Sequence, residues 1–216
     1  MKNEILIPAG GPVNYDYAIG RDPVTNEMYA TWLKSLPAAD AARYYCRLMA
    51  THFFGGILED FTCKQGFAQK PVVFVSWYDA LAYGASVGGR LPTTQEWRKA
   101  AAWLPHEQRY ATWCTGCDAP PTQTAANFYD FTNGWALPQP HLADVDWYHP
   151  SGAYGCRGMA GNVGEWCVDE EKEWQPALGG SVFRPVEFCR THSGEADRPD
   201  KRLSTFGFRL VRTVQK

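Results

Sequence analysis

Residues 104–160 carry little periodicity and much Pro, Gly, Asn, Asp and aromatic character. A compact domain rarely holds so long an irregular stretch unless something organises it. That stretch constrains the fold more than any other part of the chain. With 20 Gly, 15 Pro and 9 Trp in 216 residues, the mixture suits irregular structure around a small sheet better than a helical bundle. The expectation is irregular structure around a small sheet, in one domain over 1–216. Bound ions and a lattice of aromatic rings are the expected organisers of the loop.

Regular elements announce themselves on either side. Ile7-Pro-Ala-Gly-Gly11 reads as a strand entering a turn. Thr25 is placed to cap a helix in which Met28, Trp32 and Leu33 share a face. Residues 39–52 form a second helical candidate. Ser76 with Asp79 three residues on makes a capping-box variant, and Gly88-Gly89 should end that helix. Thr93 or Thr94 should start another helix running to about 103, with Glu96 in its first turn. Short strands are expected near 164–168, 177–183 and 206–213.

A formal net charge of −2 argues against nucleic acid as an electrostatic partner. No apolar run approaches the ~20 residues of a membrane span. No leader is evident at the start, so a cytoplasmic location is expected. The seven cysteines form no dense framework, and a disulfide scaffold is not expected. Cys114-Thr-Gly-Cys117 has the spacing of half a zinc site or a redox pair. Without a second ligand pair it reads instead as loop thiols or a local disulfide.

Four stretches together resemble the formylglycine-generating (sulfatase-modifying factor) enzymes. Ile7-Pro-Ala-Gly10 and Val24-Thr-Asn-Glu-Met-Tyr29 look like that family's opening. Pro71-Val-Val-Phe-Val-Ser-Trp-Tyr-Asp-Ala80, with Gly89-Arg-Leu-Pro-Thr-Thr-Gln-Glu-Trp97, looks like its central signature. Met159-Ala-Gly-Asn-Val-Gly-Glu-Trp166 is similar to its Gly-Asn-x-Trp-Glu-Trp motif, with Gly164 in place of the first Trp. Gly179-Gly-Ser181 and Gly207-Phe-Arg209 complete the set. The resemblance implies an α+β, C-type-lectin-like fold: a small twisted antiparallel sheet with a few helices and much irregular loop. It also implies calcium, a cation that takes six to eight oxygens. By motif position, Asn127 and the Phe128 carbonyl match one site. The carbonyls of Gly161 and Val163, with the Glu165 carboxylate, match another.

Members with oxidase activity hold Cu(I) between two thiolates, as suits a soft ion. The motif places those cysteines five residues apart, and here they fall on Arg184 and Cys189. A permanently charged guanidinium supplies no thiolate and disfavours a cation beside it. Copper is therefore not expected. Cys189 stands as the catalytic candidate only if the chain is a divergent oxidase or maturation factor.

Residues 182–206 give a second functional reading. They mix aromatic, basic and acidic types between two strand-like anchors, as a recognition loop on a rigid frame does. The candidate ligand-binding residues are Val182, Phe183, Arg184, Glu187, Phe188 and Arg190, followed by His192, Asp197, Arg198, Arg202, Ser204 and Phe206. The segment also resembles the variable proteins of diversity-generating retroelements, through Cys189-Arg190, Pro199-Asp200, Arg202 and Gly207-Phe-Arg209. Most residues between these anchors are reachable by randomising the adenines of an Asn codon; Glu187, Glu195 and Lys201 are not. The expected partner is a protein or small-molecule ligand. A calcium-stabilised pseudoenzyme that acts only as a subunit is a third reading.

Overall fold

The computed structural model describes residues 3–135, 141–169 and 172–214. Strands β1 (Glu4–Ile7) and β2 (Tyr17–Gly20) form an antiparallel pair at the start of the chain. Helix α1 (Asn26–Ser35) follows, and the Thr25 hydroxyl accepts the Met28 N–H at its N-terminus. Met28 itself is 43% exposed while Trp32 and Leu33 are buried. The expected apolar face is therefore narrower than the sequence pattern implied. The candidate helix over 39–52 is two pieces, α2 (Ala38–Tyr44) and α3 (Leu48–Thr51). The break at Tyr45–Arg47 lets the Tyr45 and Arg43 carbonyls turn toward Arg202.

Helix α4 (Trp77–Ser86) begins at a complete Ser76/Asp79 capping box. Helix α5 (Thr94–Ala102) begins at a second one, Thr93/Glu96. In both, the reciprocal side-chain bonds satisfy two backbone N–H groups that the helix start would leave unpaired. Two short antiparallel pairs come next: β3 (Trp103–Leu104) with β4 (Arg109–Tyr110), and β5 (Tyr129–Asp130) with β6 (Gly134–Trp135).

The C-terminal half supplies β7 (Gly164–Trp166), β8 (Gln175–Leu178), β9 (Glu195–Asp197), β10 (Phe206–Gly207) and β11 (Val211–Thr213). One sheet runs β10-β7-β8-β9, parallel only between β10 and β7. The other runs β1-β2-β11, so the end of the chain closes on its beginning. Two apolar clusters fill the interior. One gathers Tyr29, Trp32, Tyr83, Trp166, Phe206 and Phe208. The other gathers Tyr17, Trp97, Trp113 and Met159 with the buried thiols of Cys114, Cys156, Cys167 and Cys189. No helix among the described residues is long and apolar enough to cross a membrane.

Two buried amides, together with the buried rings of Trp113, Phe128 and Tyr148, organise the described part of the irregular stretch. Asn127 Nδ2 donates to Asn162 Oδ1 at 3.0 Å and to the His141 carbonyl at 2.9 Å. Asn162 also exchanges bonds with the Ala143 backbone in both directions, at 2.9 and 3.1 Å. The Asn162 N–H donates to the Asn127 carbonyl at 2.6 Å. Each bond satisfies a polar group that would otherwise be costly to bury.

Candidate functional site

Strand β8 delivers the chain into the 182–206 segment through Gly179-Gly-Ser181. Gly179 has φ 96°, and a Cβ there would stand 2.8 Å from the Met159 carbonyl oxygen. Gly161, with φ 70°, bridges Asn127 so closely that a Cβ would meet the Asn127 oxygen at 2.3 Å. Only glycine serves at these two points. They join the Gly-Asn and Gly-Gly-Ser motifs directly, the Gly161 N–H donating to the Gly179 carbonyl at 2.7 Å.

Beyond the glycines the segment is pinned by its backbone at several places. The Tyr129 N–H donates to the Arg184 carbonyl at 3.0 Å, and the Cys114 N–H to the Cys189 carbonyl at 2.9 Å. A single 3-10 turn spans Val186–Cys189. The Thr191 hydroxyl donates to the Ala111 carbonyl at 2.7 Å, and Arg202 holds both oxygens of Asp79 at 2.7 and 2.9 Å. Strand β9 then pairs with β8. The loop is irregular in shape yet fastened along its length.

The candidate binding residues divide by exposure. Phe183, Arg184, Glu187, Arg190, His192 and Arg198 lie on the surface. Phe188, Asp197 and Ser204 are half-buried. Val182 and Phe206 are not surface residues and are withdrawn from the candidate site. Val182 is fully buried in the core, and Phe206 packs edge-on against Trp166 with ring centroids 4.9 Å apart. Arg202 is also structural: its guanidinium binds Asp79 and two backbone carbonyls.

Two neighbouring segments complete the surface, and neither stood out in the sequence. Phe183 stacks on Phe54 at 5.2 Å, Phe54 touches Phe53 at 4.4 Å, and His52 stacks on Phe53 at 4.3 Å. On the other side Phe131 contacts Tyr129, whose backbone is bridged to Pro185. Phe53 is 57% and Phe131 79% exposed. The signal was present in Phe53-Phe54, an adjacent aromatic pair of which a single face can bury one.

The position of the first family cysteine carries a built ion pair. Arg184 Nε and Nη2 both donate to Glu195 Oε2, at 2.9 and 2.5 Å, and the guanidinium lies 5.2 Å from the Phe188 ring centroid. Cys189 faces inward with no exposed surface. Burial pushes its thiol up to about 12, although the Gly161 N–H bond pulls the other way. Of the two motif positions only Cys189 carries a thiol, because Arg184 supplies none. The residues present therefore do not fit a two-thiolate copper site. His192 packs against Tyr110 on the surface, while Cys189 is in the core.

The Glu165 carboxylate does not fit a calcium site. Arg209 Nε and Nη2 donate to Glu165 Oε2 and Oε1 at 2.5 and 2.7 Å, and Trp97 Nε1 adds a bond at 2.6 Å. Both oxygens are committed to a guanidinium, so the Glu165 carboxylate is corrected from cation ligand to internal ion-pair partner. The Asn127 carbonyl accepts the Asn162 N–H, and the Phe128 carbonyl faces the Gln123 amide at 3.4 Å. Gly161 and Val163 are buried. Among the described residues no three His, Cys, Asp or Glu side chains gather at a point.

The sequence matches the model of the sulfatase-modifying factor enzyme 1-like domain over residues 7–214. The chain belongs to that family. Among its relatives is the serine/threonine-protein kinase pkn1 of Chlamydia pneumoniae, 28% identical over 233 residues, covering 96% of this chain and 35% of that protein. The formylglycine-generating enzyme of Thermomonospora curvata is 37% identical over 173 residues, covering 65% of this chain and 55% of the enzyme. The chain thus spans only a part of the length of these relatives. Among solved structures, CarF superposes with a TM-score of 0.67 at 23% identity, covering 98% of each chain. Variable protein 1 of Treponema denticola superposes with a TM-score of 0.64 at 18% identity, over 98% of this chain and 91% of its own. These likenesses establish the expected α+β, C-type-lectin-like fold for this family member.

Two outcomes follow from the site. A ligand held only by the native state raises its melting temperature, so excess chelator should leave the melting temperature of this domain unchanged in a thermal scan; a clear drop would show a bound cation. Cys189 is protonated in the folded state at pH values where an unfolded thiol ionises. Its contribution to stability is therefore complete below the ordinary thiol pKa and is lost as pH rises through about 12. Cys156, pushed up to about 11 by burial, adds to the same trend. Urea unfolding repeated from pH 8 upward should show a declining stability that is shallower in Cys189→Ala.

Proposed function

We propose that this domain is a binding module of its family, engaging a protein partner through the surface built from Phe183 and Arg184 with Phe53 and Phe131. The observation that carries the reading is the separation of the two positions the family uses for copper. Cys189 is closed inside the core, and Arg184 is ion-paired to Glu195 on the surface. Chemistry at a shared metal would need both groups to face one point.

The same segment has the composition of an interface. Aromatic rings and arginine dominate the residues that carry binding energy between proteins. Here three exposed phenylalanines flank the Arg184–Phe188 pair, with Arg190 over Trp113 at 4.4 Å and Arg198 farther along. The backbone bonds that fasten the loop lower the ordering cost of binding. Phe183, Arg184, His192 and Arg198 are also residues that adenine randomisation of an Asn codon can encode, which supports diversification of the surface as an extension of this reading.

Titration of the reduced protein with Cu(I) against a competing chelator tests it, with oxygen uptake followed in the presence of a cysteine-containing peptide. The module reading predicts no stoichiometric copper and no peptide-dependent oxygen consumption. One-to-one uptake that disappears in Cys189→Ala, with turnover, would return the domain to the oxidases.

A further inference from the structure

A cavity of about 400 Å³ opens between the end of β2, α1, the end of α4 and the 145–157 segment, and shares no residue with the 182–206 surface. Its walls are apolar: Val24, Tyr83, Val145 and Leu210 are buried behind it, with Met28 and Val87 exposed at the rim. The volume is at the small end of ligand pockets, which run roughly 300–1,000 Å³.

The polar end of the cavity is not balanced. Asp22 is fully used, its two oxygens taking Arg157 Nε and Nη2 at 2.7 and 2.8 Å and the Asn3 amide at 2.9 Å. Arg21 lines the same cavity, and its Nε is buried with no hydrogen-bond partner. An unpaired guanidinium nitrogen is expensive to bury, because it has given up water for nothing. Its backbone is not free to move away: the Arg21 carbonyl takes Arg209 Nη1 at 2.9 Å and the Arg157 N–H at 2.9 Å. Asp146, the other acid lining the cavity, is exposed and acts on Arg157, where water screens it.

We infer that this cavity binds a small organic anion with an apolar body, its carboxylate meeting Arg21 and its hydrocarbon or aromatic portion lying against Val24, Tyr83, Val145 and Leu210. A carboxylate supplies the acceptor that the Arg21 guanidinium lacks, in a charge-assisted bond. The apolar walls favour the rest of the molecule by burial. An amine of the same size would face Arg21 with like charge, and an alcohol would bury its body without the ionic bond.

Octanoate, octanol and octylamine separate these terms. Isothermal titration and thermal shift on the whole chain should give one-to-one octanoate binding with a raised melting temperature, weaker octanol binding and none for octylamine. Arg21→Met should weaken octanoate by about tenfold or more while leaving octanol nearly unchanged. Met28→Trp, a substitution at an exposed rim position that the fold should tolerate, should weaken both by obstructing the mouth. No octanoate binding, equal binding by both variants and wild type, or octylamine binding as well as octanoate would each overturn the inference.

Discussion

Arg209 and Glu165 form an ion pair with no exposed surface on either side chain, and the rest of the molecule is arranged around it. The guanidinium reaches three further carbonyls, those of Gly20, Arg21 and Arg157. One side chain near the end of the chain thereby ties β7, the end of β2 and the loop before the Gly-Asn motif. Burial alone would lower the Arg209 pKa; the adjoining carboxylate outweighs it and holds it raised. Such a pair is tolerable inside a protein only because its own donors and acceptors are met. The Trp97 indole N–H supplies a bond to the carboxylate and locks α5 against the sheet.

That arrangement explains why the motifs recur together. Gly207-Phe-Arg209 brings the cation, Gly161-Asn-Val-Gly-Glu165 the anion, and the signature after Pro92 the indole. Asn162, within the same motif as Glu165, fastens the irregular region to Asn127 and Ala143. A frame built this way needs little regular secondary structure. The outward side chains of the long loop add little to that frame, since most of them lie outside the two apolar clusters. The exceptions, Val182, Cys189 and Phe206, are the loop's roots in the core.

Much of the architecture was legible in the sequence because local rules decide it. The caps at Thr25, Ser76 and Thr93 sit where hydroxyl spacing placed them, and the closing strands fall close to their expected positions. Long-range chemistry was not legible. Nothing in the spacing of Glu165 shows that Arg209 fills the place expected of a cation, 44 residues away. The pattern around Met28 looks apolar and helical, yet the residue turns outward onto a cavity rim. Phe53 and Phe131 join the candidate surface only through tertiary packing, so a reading confined to the loop between the two anchors could not include them. Exposure within that loop was equally hidden, because a segment without periodicity gives no inner and outer face.

The separation of frame from loop is the central claim, and one chemical-denaturation comparison tests it. Glu165→Gln leaves Arg209 buried without a counter-charge and should lose about 3–5 kcal/mol. A triple variant, Phe53→Ser, Phe131→Ser and Arg198→Ser, alters the exposed surface and should stay within about 0.5 kcal/mol per site of the wild type. A Glu165→Gln protein as stable as the triple variant, or a triple variant that unfolds, would contradict the account.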